Sequence, residues 1–187
     1  MSWVSFPSPP AGESVIVDDP RSHFIFIYHP LTLMGRTYTV RGGRPMTNGE
    51  VLQYWGKWIV LGTRARLDEL AEKLDPFVEE RKIPCIKYDR SPPADLGLRE
   101  CVMMVYCDRR ERSEVWAILE RFGVRMKAWV TERETMEMWL PGAQLLDRWL
   151  GRQDLDAPAK EAIREDARAR IRYVFDHPDE IFRPWEQ

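Results

Sequence analysis

The chain is poor in cysteine and histidine and has no long apolar run, and each shortage removes a class of function. Its three cysteines, Cys85, Cys101 and Cys107, all lie in strand-like runs and form no CxxC spacing. That pattern speaks against a disulfide framework or a thiolate metal site, and makes them small core hydrophobes of a reducing compartment. The three histidines are His23, His29 and His177, with no HxH or HExxH pattern. On one strand His23 and His29 would share a face but lie roughly 20 Å apart, too far to grip one ion. No metal and no cofactor is therefore expected.

No apolar stretch approaches the roughly 18 residues of a membrane span, and the N-terminus lacks a basic-then-apolar leader pattern. The expectation is a cytoplasmic protein with no membrane association. Positive charge is not in excess either: 28 Lys and Arg against 30 Asp and Glu give a net charge of -2. Nonspecific binding to nucleic acid or anionic lipid is disfavoured. GxGxxG, Walker and GxSxG patterns are missing. The acidic pairs Asp18-Asp19 and Glu79-Glu80 are sequence neighbours, whose side chains diverge on a regular element, so paired acid/base chemistry is not indicated.

What is present is the composition of a globular protein: 187 residues, 44% hydrophobic and 31% charged, with eight tryptophans for cores or interfaces. The chain is organised around residues 57–132, which read as two successive strand-helix-strand units. In the first, 57–62 and 83–88 are strand-like around a helix at 66–80, whose stripe is Leu67, Leu70, Ala71, Leu74, Phe77 and Val78. Pro76 predicts a kink or break near Asp75. In the second, strands at 101–107 and 124–131 flank a helix at 110–122, with Val115, Trp116, Ile118, Leu119 and Phe122 inward and Gly123 as its stop. The fold class expected is α+β: a ferredoxin-like βαββαβ repeat with extra N-terminal strands and C-terminal helices.

Around this repeat the chain divides into an extended, proline-rich arm at 1–22, an α+β core at 23–132 and a helical extension at 133–187. Val15-Ile16-Val17 suits an edge strand. Runs at 23–29 and 36–41 read as strands, the latter closed by Gly42-Gly43, and form a hairpin or join the main sheet. Thr47 and Glu50 form a capping box for a short helix through Trp55, stopped by Gly56; Thr131 and Glu134 form another. A helix striped by Leu145, Leu146, Trp149 and Leu150 follows. Asp156 caps a last helix with Ile163, Ala167, Ile171 and Val174 on one side. The connection at 89–97 is long and polar, and is expected to be a mobile loop.

The strand-to-helix turns are basic: Arg64 and Arg66 in one unit, Arg109 and Arg110 in the other. With the first strands of both units parallel at the sheet centre, the four arginines would converge on one edge. Arginine at a helix start opposes the dipole and is better tolerated with a bound anion, which it can grip bidentately. The functional expectation is a non-enzymatic binding or accessory protein, a regulatory domain taking a small anionic ligand at that basic edge, or a protein partner, and acting as a homodimer. The competing class is a small enzyme acting on a phosphorylated or carboxylate substrate, using the same edge and the 89–97 loop. A third is an RNA-binding ferredoxin-like domain, with Trp58 and Tyr106 as stacking residues on the central strands.

Overall fold

A computed structural model describes residues 13–30, 33–34, 37–38 and 44–183. Residues 1–12 of the arm, Gly42-Gly43 and most of the 36–41 run lie outside the described residues. In chain order the elements are β1 (Val15–Val17), β2 (Phe24–Tyr28), β3 (Leu33–Met34), β4 (Thr37–Tyr38), α1 (Asn48–Tyr54), β5 (Trp55–Gly62), α2 (Arg64–Glu79), β6 (Cys85–Asp89), β7 (Cys101–Asp108), α3 (Arg112–Arg121), β8 (Trp129–Thr131), α4 (Glu132–Met138), α5 (Gln144–Leu150) and α6 (Ala157–Asp176). Six strands form one sheet in the order β1-β2-β6-β7-β5-β8, and β3 pairs with β4 separately. Every neighbouring pair in the large sheet is antiparallel. The fold is α+β, as the sequence predicts. No described helix is long and apolar enough to cross a membrane.

Local chemistry explains most boundaries. Both capping boxes form: Thr47 with Glu50 opens α1, and Thr131 with Glu134 opens α4. Asp156 accepts the Ala159 N–H at the start of α6 (2.9 Å). At the end of α3, Gly123 takes a φ of +87° while the Val124 N–H returns to the Leu119 carbonyl, a left-handed closure suited to glycine. Two helix ends lie elsewhere than the proline and glycine suggest. The helix does not break before Pro76: α2 continues to Glu79, and the Glu80 N–H bonds the Pro76 carbonyl (3.0 Å). Proline removes one donor there, but only in the last turn, where few ladder bonds remain to be lost. Nor is Gly56 a stop, because β5 already begins at Trp55 and passes through it.

The sheet has two covered faces. α2 and α3 lie on the first, where Ile25, Ile27, Trp58, Val60, Ile86, Tyr88, Met103 and Val105 meet Leu67, Leu74, Val115 and Leu119 in one buried cluster. A second cluster joins Tyr28, Cys85, Tyr106 and Trp55 to Met46, Val51, Met136, Ile171, Val174 and Phe182. The C-terminal helices therefore dock on the sheet of their own chain. Each such aliphatic side chain contributes roughly 1.5–3 kcal/mol on burial, so Ile171, Val174 and Phe182 suffice to anchor a tail that is otherwise largely solvated. All three cysteines are buried and free. Burial pushes the Cys85 thiol up to about 12.

The 89–97 connection contains a 3-10 turn, Ala94–Leu96, closed by Gly97 with a φ of +70°. A Cβ on Gly97 would fall 2.3 Å from an Arg152 guanidinium nitrogen. Gly97→Ala is expected to cost about 1–2 kcal/mol from left-handed backbone alone, besides displacing Arg152. Urea denaturation measures it; a change within about 0.5 kcal/mol of wild type, as at an indifferent surface position, would show that the turn does not depend on glycine.

Candidate functional site

The register decides the fate of the basic edge. β5 and β7 are adjacent but antiparallel, with Trp55 opposite Asp108 and Gly62 opposite Cys101. The helical crossover makes β6 run with β5, and the reversal after β6 then inserts β7 between them in the opposite sense. Arg64 and Arg66 follow the Gly62 end and Arg109 and Arg110 the Asp108 end, which puts the two groups roughly 23 Å apart at about 3.3 Å per residue. The predicted convergence of four arginines does not occur.

Two of the four also have structural partners. Arg64 donates from Nε to Asp68 (2.7 Å) and from a terminal nitrogen to the Arg90 carbonyl (3.0 Å), while Tyr88 donates to the same carboxylate (2.9 Å). Arg110 chelates Asp108 (2.9 and 2.6 Å) and lies over the Tyr54 ring. Arg66 and Arg109 are exposed at opposite ends of the sheet. Their backbone N–H groups bond the Thr63 hydroxyl and the Tyr54 carbonyl.

The stacking pair proposed for RNA is likewise withdrawn from the surface. Trp58 is on the helix-covered face, between Trp116 and Trp129, and its indole N–H donates to the Arg112 carbonyl (3.1 Å). Tyr106 is on the other face but is only 7% exposed.

A different constellation emerges on that second face, where the register lays side chains in rows across the strands. The first row is Lys57, Tyr106, Cys85 and Tyr28 on β5, β7, β6 and β2. The next is Ile59, Met104, Lys87 and Phe26, and beyond it Leu61 faces Val102. Every member of the first row is buried, and every member of the second and third named here is partly exposed. Burial thus falls off between the first row and the second, although Phe26 and Met104 of the second still pack against that cluster.

Two lysines straddle this step. Lys57, 5% exposed, forms a buried ion pair with Glu132 (2.5 Å) and lies over the Tyr106 ring (5.3 Å). Glu132 is placed by the Thr131 cap, in the first turn of α4, where a carboxylate also complements the helix dipole. Lys87 lies in the partly exposed second row, its amine 3.8 Å from the centre of the Phe24 ring and 5.7 Å from that of Phe26. Removal from water and the neighbouring Lys57 ammonium hold the Lys87 amine down at about 8, against the pull of Glu132, Cys85 and Asp89. Asp89 is buried, accepts the Val102 N–H (2.8 Å), and is pushed up by that burial.

The chain matches no protein-family model, curated protein or solved structure.

The geometry alone therefore bears on function. An ammonium over the Phe24 and Phe26 rings, in register with Met104 and then Ile59 across the sheet, can hold a negative group while the apolar row accepts the body that carries it. Sequence reasoning missed Lys57, Lys87 and Glu132, although a signal was there: each lysine sits singly inside a run of strand formers, as Gly56-Lys57-Trp58 and Ile86-Lys87-Tyr88. A charge in such a run marks a face that meets something other than a plain core. Among the described residues no cluster of His, Cys, Asp and Glu could hold a metal ion. A shallow groove of about 380 Å³ between Val130, Glu134, Met138 and Gln144 lies apart from Lys87.

Proposed function

We propose that this chain is a binding or accessory protein of ferredoxin-like architecture. Its ligand is a small anion with an apolar body, seated on the partly exposed rows of the second sheet face around Lys87. The strand order β8-β5-β7-β6, antiparallel throughout, supports the architectural part, since it is the order a βαββαβ repeat produces. The observation that carries the functional part is the lysine of the partly exposed row, its amine over the Phe24 and Phe26 rings and in register with Met104. Relative to the basic-edge expectation, the ligand class is kept and its place is moved.

Thermal melting tests this with a panel of inorganic phosphate, nucleotides, coenzyme A, short carboxylates and carboxylates bearing aromatic or branched tails. Wild type is run beside Lys87→Gln and the double variant Arg64→Ala/Arg109→Ala. A tailed carboxylate is expected to raise the Tm, and at 100 times its Kd it adds about 2.7 kcal/mol. Lys87→Gln should lose the shift and the arginine variant should keep it. The reverse pattern would return the site to the strand-helix turns, and no shift with any compound would remove the small-anion reading.

A further inference from the structure

We infer that the C-terminal segment 177–183 is a latch: it closes α1 and the end of α6 over the second sheet face, and the three open together while the sheet stays folded. Its action needs no ligand. Two distant parts of the chain complete each other's backbone at this point. The first N–H groups of a helix have no partner within it. Here the Asn48 N–H donates to the Glu180 carbonyl (2.8 Å) and the Gly49 N–H to the Pro178 carbonyl (2.8 Å). The buried Asn48 side chain donates its amide to the His177 carbonyl (2.8 Å). Just before the helix, the Phe182 N–H bonds the Met46 carbonyl (2.9 Å), and Ile181 bridges Thr47. A Cβ on Gly49 would stand 3.1 Å from the Pro178 carbonyl oxygen, so the two backbones meet with no side chain between them.

Neither partner is held firmly without the other. α1 has seven residues, fewer than the roughly 12–15 that an isolated helix needs in water. α6 has twenty, yet only Ile171 and Val174 are buried along it, both in its last two turns. Phe182, 3% exposed, is the third anchor. These three side chains share one cluster with Met46 and, on α1, Val51. Releasing the latch removes the acceptors of the first turn of α1 and an anchor of α6 at once. α4 stays behind, since Lys57 ties it to the sheet through Glu132. The other sheet face keeps its own cluster under α2 and α3, which contains none of the latch residues.

Opening uncovers the first row of the sheet face. Tyr28, Cys85 and Tyr106 belong to the cluster of Ile171, Val174 and Phe182, and in the open state they join the partly exposed Phe26 and Met104 as one apolar surface. Cys85 thereby reports on the latch, because Cys101 and Cys107 are buried in the cluster under α2 and α3.

Native-state hydrogen exchange on the full chain, read by NMR, tests this with wild type, Asn48→Ala and Phe182→Ala. In wild type the amides of 51–54, 171–176 and Phe182 are expected to open with one common free energy, below that of β5 and β7. Asn48→Ala should speed all of them by on the order of tenfold, for one lost hydrogen bond of a buried amide, and leave β5, β7 and α2 unchanged. Alanine is the better helix former, so an α1 standing on its own would exchange no faster. Phe182→Ala leaves the backbone groups in place and should act on the same amides more strongly. With a thiol reagent, Cys85 should react in step with these amides while Cys101 and Cys107 lag.

Faster exchange confined to 177–183, with α1 unmoved, would reduce the latch to a fraying terminus and overturn the inference. Acceleration of β5 and β7 in step with α1, with all three thiols reacting together, would overturn it as well, since the cover would then open only with the whole fold. The wild-type pattern decides between these outcomes even where a variant fails to fold.

Discussion

Lys57→Met is expected to destabilise the protein by about 3–5 kcal/mol, the range for removing one member of a buried ion pair and leaving its partner uncompensated. The side chains of Lys57 and Glu132 are only 6% and 12% exposed, so water cannot readily replace the lost ammonium. The double variant Lys57→Met/Glu132→Gln should recover most of the loss, because the charge that suffers in the single variant is gone and the pair in isolation contributes little net stability. Chemical denaturation of wild type, both single variants and the double variant completes the cycle. Strict additivity of the two losses would mean that the lysine and the carboxylate do not depend on each other, and would sink the idea that this pair closes the covered end of the sheet face.

Gly56→Ala is the second large effect, about 3 kcal/mol at the upper end of ordinary overpacking. A Cβ at this position would stand 2.4 Å from Trp129 Cζ2 and 2.9 Å from the Val130 carbonyl oxygen. The ring cannot easily move aside, since Trp129 packs edge-on against Trp58 (5.2 Å between centres) and Trp58 against Trp116 (4.9 Å). The Trp129 indole N–H has no hydrogen-bond partner among the described residues, so packing alone holds this ring in place. Loss of near-ultraviolet circular dichroism should accompany the fall in stability. In a Trp129→Leu background the alanine should add little; an undiminished cost there would show that the ring is not what the glycine makes room for.

These two positions also show what the sequence disclosed and what it withheld. The helix stripes were readable because Leu67, Leu70, Leu74 and Val78 recur at the helical period and all four are buried. The caps at Thr47 and Thr131 were readable because the geometry they satisfy is local. Gly56 was misread for the same reason: a glycine after a helix resembles a stop, and its real neighbour, Trp129, is distant in sequence. The direction of β7 relative to β5 is a property of chain topology, not of either strand, and with it went the grouping of Arg64 and Arg66 with Arg109 and Arg110. Lys57 and Lys87 were visible as residues, yet the row that makes one covered and the other partly exposed exists only once β5, β6 and β7 are in register.

Both margins of the large sheet are made by strands of three residues, β1 and β8, while β5 and β7 inside it run to eight. An incoming strand at either margin would find only a few backbone donors and acceptors to zip onto. Short margins of this kind protect a β-containing protein against runaway stacking at high concentration. Any pairing of two copies would then have to draw its strength from side-chain surfaces, and the molecule can carry a half-open apolar sheet face without offering a template for fibre growth.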